Sequence, residues 1–149
     1  MGQFSKAIAL DSSRQIAGQA YYHRGVCYAQ LSDFNHALPD YLISRNNPAG
    51  NYQPHSFRME LGYIYLQLGK SDSAQVQYQE ILQQDSSDAQ AWYGLAVVYV
   101  QKNQFDQALP HFERAFGYRT IKYATVKKDK LIAGIRDDKR YKSLIKKYF

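Results

Sequence analysis

One cysteine, one tryptophan and four prolines stand in a chain of 149 residues. The lone Cys27 excludes an internal disulfide. No apolar run is long enough to span a membrane. The four histidines, His23, His36, His55 and His111, have no metal-ligand spacing, and no second cysteine or clustered carboxylates join them. No Gly-rich phosphate loop is present, because Gly62 and Gly69 fall within or at the end of a helical pattern. His23 and Cys27 lie one helical turn apart, the spacing of a thiol–imidazole pair. Cys27 sits beside Gly25 and Tyr28 on the packed side of that helix, so burial as a small apolar residue is the preferred reading. Nothing completes a catalytic set, and neither a cofactor nor a metal is expected.

What the chain has is repetition. Tyr21, Arg24, Gly25, Tyr28, Ala37, Tyr41 and Ser44 recur 37 residues later as Arg58, Leu61, Gly62, Tyr65, Ala74, Tyr78 and Ile81. After a further 34 they recur as Trp92, Leu95, Ala96, Tyr99, Ala108, Phe112 and Ala115. Within each unit the first four positions follow a 0, 3, 4, 7 spacing, one face of an α-helix. The small residue at Gly25, Gly62 or Ala96 is expected to let a second backbone come close. Ala37, Ala74 and Ala108 open a second stripe, on a second helix, at the tightest crossing. Between the stripes lie Ser32-Asp33, Gly69 to Asp72 and Asn103-Gln104. Gly69 suits a helix C′ position, and Asp33 or Ser71 can cap the following helix. Each unit therefore predicts a helical hairpin.

These positions resemble the tetratricopeptide repeat family, whose pattern is Trp-x2-Leu-Gly-x2-Tyr, then Ala-x3-Phe, then a turn Pro. The third unit carries it most fully in Trp92, Leu95, Ala96, Tyr99, Ala108 and Phe112. Phe4 to Ser12 reads as the end of a preceding half-repeat. The resemblance implies an all-α, right-handed superhelical solenoid: a partial repeat over 1–17, repeats over 18–54, 55–88 and 89–117, and a basic helical cap over 118–149, all one domain. Departures are a missing turn Pro after the second unit, where Asp85 to Asp88 turns the chain, and three extra residues within Asn46 to Asn51. Pro39 and Pro110 must fall in the first turn of their helices or kink them. A start inside a half-repeat points to a piece of a longer protein or, alternatively, to a degenerate first hairpin. Met1 to Lys6 has no secretory pattern, which leans towards the cytoplasm, but a targeting signal of a longer chain would lie outside this sequence, so the compartment stays open.

The resemblance also implies a concave groove lined by the first helix of each hairpin. It would present Tyr22, Val26 and Ala29, then Met59, Tyr63 and Leu66, then Tyr93, Val97 and Val100, flanked by amides such as Gln67 and Gln101. Such a lining suits an extended peptide or an amphipathic helix. The competing reading makes part of this stripe core, covered by neighbouring hairpins or by the chain's own C-terminal segment. A clamp for a chaperone's C-terminal carboxylate is disfavoured, since Tyr22, Val26, Met59, Glu60, Tyr93 and Gly94 bring no cation.

The charge is segregated. Residues 117–149 hold eleven Lys/Arg against three Asp, whereas residues 1–116 hold eight against ten Asp/Glu, so the net +6 comes from the tail. Apolar spacing predicts helices over about 124–135 and 138–148, the second opened by Asp137-Asp138. A solenoid needs such a cap, and its basic face is then simply solvated. A functional alternative is a patch of Lys127, Lys128, Lys130, Arg136, Lys139, Arg140, Lys146 and Lys147 for an anionic partner. Nucleic acid is disfavoured because charge alone speaks for it.

The expectation is a non-enzymatic scaffold or adaptor that binds another protein or peptide. The alternatives are the accessory interaction domain of a larger enzyme or sensor, and anion binding through the tail. Self-association through exposed end repeats is a further expectation.

Overall fold

The computed structural model describes residues 2–3, 5–6, 14–47 and 56–149, with the side chains of 14–16 left aside. Most of the preceding half-repeat and of the long turn Asn46 to Asn51, with its three extra residues, thus lies outside the described residues. The described residues contain no strand, and the fold is all-α. The chain clusters into two compact units, residues 1–64 and 65–149.

The first unit is built on α1 (Arg14–Gln30) and α2 (Phe34–Arg45), followed by α3 (Phe57–Gln67), within which the unit boundary falls. The link between α1 and α2 is short because Ser32 adopts a left-handed φ of 60°. Its N–H donates to Ala29 O and the Asp33 N–H to Tyr28 O, both at 2.9 Å, which satisfies the last carbonyls of α1. Asp33 then caps α2, as expected, by accepting the His36 N–H. The hairpin closes on Gly25 and Ala37. The small residue at Gly25 makes room for a side chain rather than a backbone: a Cβ there would lie 2.8 Å from the Tyr41 ring.

The second unit holds the end of α3, then α4 (Ser71–Gln84), α5 (Ala89–Gln101), α6 (Phe105–Gly117) and a terminal segment. The same turn recurs twice. Gly69 has φ 68° with Lys70 N–H to Tyr65 O at 2.8 Å, and Asn103 has φ 57° with Gln104 N–H to Tyr99 O at 2.8 Å. Ser71 does not cap α4; its hydroxyl donates to Gln101 Oε1 at 2.8 Å, a partner 30 residues away. Gln101 in turn donates from Nε2 to Leu66 O at 2.9 Å, tying the end of α5 to the turn before α4. Asp88 caps α5 through the Ala91 N–H at 2.8 Å. Between α4 and α5 the close approach is made at Gly94, where a Cβ would stand 2.5 Å from the Tyr78 ring.

Pro39 and Pro110 are each the sixth residue of their helices, beyond the first turn. Both are exposed, so the carbonyl that each ring leaves without a helical donor sits on the solvent side.

The terminal segment corrects one expected boundary. A single helix over 124–135 is replaced by α7 (Tyr123–Lys128) and a 3₁₀ turn (Lys130–Ile135). Asp129, extended at φ −69° and ψ 109°, interrupts them and accepts the Leu131 N–H at 2.9 Å. The final helix, α8 (Lys139–Tyr148), opens on Asp138, which caps the N–H groups of Arg140 and Tyr141. Val126, Ile132, Ile135 and Tyr141 are buried, and Tyr141 packs on Phe112 with ring centroids 5.2 Å apart.

Candidate functional site

In the first unit the face expected to meet a partner is partly consumed by an internal polar cluster. Tyr22 is buried and its hydroxyl donates to Glu60 Oε2 at 2.8 Å. Tyr41 donates to the same oxygen at 2.8 Å. Burial first, and the Glu60 bond second, hold the Tyr41 phenol well above its ordinary pKa. The two rings meet edge-on at 5.4 Å, and Phe57 packs against both, 5.9 Å from Tyr22 and 5.2 Å from Tyr41. Beside them Arg24 forms a bidentate pair with Asp40, Nε to Oδ2 and Nη2 to Oδ1, both 2.6 Å. That hydrogen-bonded pairing, opposed by partial desolvation, raises the Arg24 pKa.

Sequence reasoning missed this pair, although a signal existed. Arg24 stands where the later units have Leu61 and Leu95, and Asp40 where they have Gln77 and His111. Two opposite charges thus enter the same repeat at facing stripe positions.

The remaining first-unit residues are more open. Val26 and Met59 are half-buried. Tyr63 is 48% exposed, with its ring edge-on to Phe34 at 5.9 Å, and Leu31 at the end of the hairpin turn is more exposed still. Aromatic and aliphatic side chains therefore stand in water here without a polar role.

In the second unit the corresponding face of α5 is closed. Val97 and Val100 are buried, as is Leu66 at the end of α3, so none of the three offers a surface to a partner; Gln67 is half-buried. At Val100 the cover comes from the chain's own 3₁₀ turn, whose Gly134 lies against Val100 and Phe105. Tyr93, half-buried, donates from its hydroxyl to Asp129 Oδ2 at 2.8 Å. Its ring packs on Phe112 at 5.5 Å and Phe116 at 6.3 Å. Burial and the neighbouring Asp129 carboxylate push the Tyr93 phenol far above its usual value. Trp92 is also internal in role: its Nε1–H donates to Ser86 O at 2.9 Å, and Arg114 stacks 4.5 Å above its ring.

The eight basic residues proposed as a patch are all exposed, but they divide. Arg140 pairs with Asp106 at 2.6 Å and with Asp138 at 2.8 Å, and Lys147 with Glu113 at 2.7 Å. Arg136 donates from Nη2 to the carbonyls of Lys127 and Asp129. Lys127, Lys128, Lys130, Lys139 and Lys146 have no side-chain partner among the described residues.

His23 packs edge-on against Tyr22 at 5.2 Å, and Cys27 is half-buried. Among the described residues no three His, Cys, Asp or Glu side chains converge to hold a metal ion. No described helix is long and apolar enough to cross a membrane.

Residues 59–119, from within α3 to just past α6, match the family model of the tetratricopeptide repeat. No curated protein matches the chain.

Proposed function

We propose that this chain, a tetratricopeptide repeat protein over residues 59–119, is a non-catalytic adaptor that takes a peptide or partner helix on the open face around Tyr63. Tetratricopeptide repeats are in general modules for protein–protein interaction, and that much applies to the matched residues directly. The finer assignment rests on Tyr63. A tyrosine on the first helix of a hairpin, 48% exposed and braced by Phe34, combines a large rigid surface with one hydrogen-bonding tip. Half-buried Val26 and Met59 add apolar surface in the same unit. The α5 face contributes less, because residues 130–135 already lie on it. An amphipathic helix or extended segment presenting one or two apolar anchors matches such a face.

A photo-crosslinking amino acid placed at Tyr63 tests this, with Val76 on α4, also 48% exposed, as the control position. In lysate of the source cell, position 63 is expected to give a discrete protein adduct that Met59→Ala diminishes. Equal adducts from both positions, or none from position 63, would overturn the assignment.

A further inference from the structure

We infer that the terminal segment carries a second site: a socket for an aryl phosphate, the chemistry of a phosphorylated tyrosine side chain on a partner. A cavity of about 220 Å³ opens between α7, Arg136 just after the 3₁₀ turn, and α8. It is smaller than the roughly 300–1,000 Å³ pockets that enclose whole ligands, and so is of side-chain scale. Its lining includes Lys127, Arg136 and Lys142 with Tyr123, Val126 and Tyr141, and no carboxylate.

Two features mark it as built rather than incidental. Arg136 is pinned, since its Nη2 donates to Lys127 O at 2.8 Å and Asp129 O at 2.7 Å. Its Nε and Nη1 keep N–H donors with no partner among the described residues. Tyr141 is only 4% exposed, with its ring fixed on Phe112, yet its hydroxyl has no hydrogen-bond partner among the described residues. The hydroxyl is not sealed in but reaches the opening, so it and the free edge of a fixed guanidinium line one cleft as donors.

The charge chooses the occupant. Two acids stand near: Asp129 accepts from Tyr93 and from the Leu131 N–H, and Asp137 pairs with Lys142 at 3.1 Å, which leaves Lys127 and Arg136 without a carboxylate partner among the described residues. Two uncompensated cations, Lys127 and Arg136, suit a group carrying about −1.5 to −2, a phosphate monoester, better than a single carboxylate. The apolar sides of Tyr123 and Val126 suit an aromatic stem better than free phosphate. This inference is independent of the Tyr63 face, and neither test bears on the other.

Calorimetric titration of the full chain with phenyl phosphate, inorganic phosphate and benzoate decides it. Phenyl phosphate is expected to bind at least about tenfold more tightly than either of the others, the effect of one charge-assisted bond or more. Tyr141→Phe, which keeps the packing ring, and Lys127→Gln, on an exposed side chain, should each weaken phenyl phosphate several-fold without moving the thermal midpoint. Equal binding of inorganic phosphate would make this a free-phosphate site and overturn the proposal. So would benzoate binding as tightly as phenyl phosphate, or both variants binding like the wild type.

Discussion

The Tyr93 hydroxyl donates to Asp129 Oδ2 across 36 residues at 2.8 Å, and Tyr22 does the same to Glu60 across 38 residues at the same distance. Tyr22 and Tyr93 occupy the same repeat position, shared with Met59. In each unit a tyrosine on the first helix of a hairpin is met by a carboxylate from the segment that follows. In the second unit that segment is the end of the chain folding back.

Tyr93→Phe should therefore loosen the terminal segment while leaving α5 and α6 intact. Loss of a hydrogen bond to a charged acceptor predicts a cost of about 1.5–3 kcal/mol in denaturant unfolding. Hydrogen exchange should rise over 123–135 and stay unchanged over 105–117. Unaltered exchange at 123–135 would mean that apolar packing alone holds the segment.

Ser32 and Asn103 hold the left-handed conformation that Gly69 adopts freely. Ser32→Gly is expected to stabilise the chain by about 1 kcal/mol and Asn103→Gly by somewhat less, since Asn tolerates this region better. Gly69→Ala should destabilise it by about 1–2 kcal/mol. Chemical denaturation midpoints check all three.

Arg24→Leu alone leaves Asp40, 2% exposed, as a buried charge without its partner. That should cost about 3–5 kcal/mol. The double variant Arg24→Leu, Asp40→Gln borrows the residues of the second unit, Leu61 and Gln77, and should recover most of the loss. A double variant no more stable than the single would show that the pair is not an interchangeable element of the repeat.

Stability should fall at both ends of the pH range, through different groups. Burial first, and a neighbouring carboxylate in each case (Glu60 for Tyr41, Asp129 for Tyr93 and Tyr141), raises the phenols of Tyr41, Tyr93 and Tyr141. The folded chain keeps these protons while the unfolded chain releases them near pH 10. Stability is then complete below about pH 10 and declines above it, by about 1.4 kcal/mol per pH unit for each tyrosine. Tyr41→Phe should lower that slope by one such increment. In acid, the hydrogen bond from Arg140 holds Asp138 at about 2. Its contribution is present above the ordinary aspartate value near 4 and is lost as the pH falls towards 2, so Asp138→Asn should flatten the thermal midpoint across that window.

The hairpins were legible because their stripes obey a 3.6-residue period and their caps are local: Asp33, Gly69 and Asp138 each act within a few residues of themselves. Ser32 and Asn103 were not recognised as left-handed positions, because only glycine advertises that conformation in sequence. Ser71 was misread as a cap since its better partner, Gln101, lies 30 residues away. The break at Asp129 is invisible to periodicity, which continues through Leu131, Ile132 and Ile135 while the side chain redirects the backbone. Inward-facing and covered residues share one helical face, so Val97 and Val100 differ from Tyr63 only through contacts that the chain makes far along its length.

The 3₁₀ turn over α5 also sets a threshold for any competitor. A molecule seeking Val100 must first lift residues 130–135, and its measured affinity is its intrinsic affinity multiplied by the fraction of chains already open. Each 1.4 kcal/mol or so with which Tyr93, Asp129 and their neighbours hold the turn closed makes that ligand about tenfold weaker. Tyr93→Phe, which loosens the turn, should correspondingly unmask the surface beneath it.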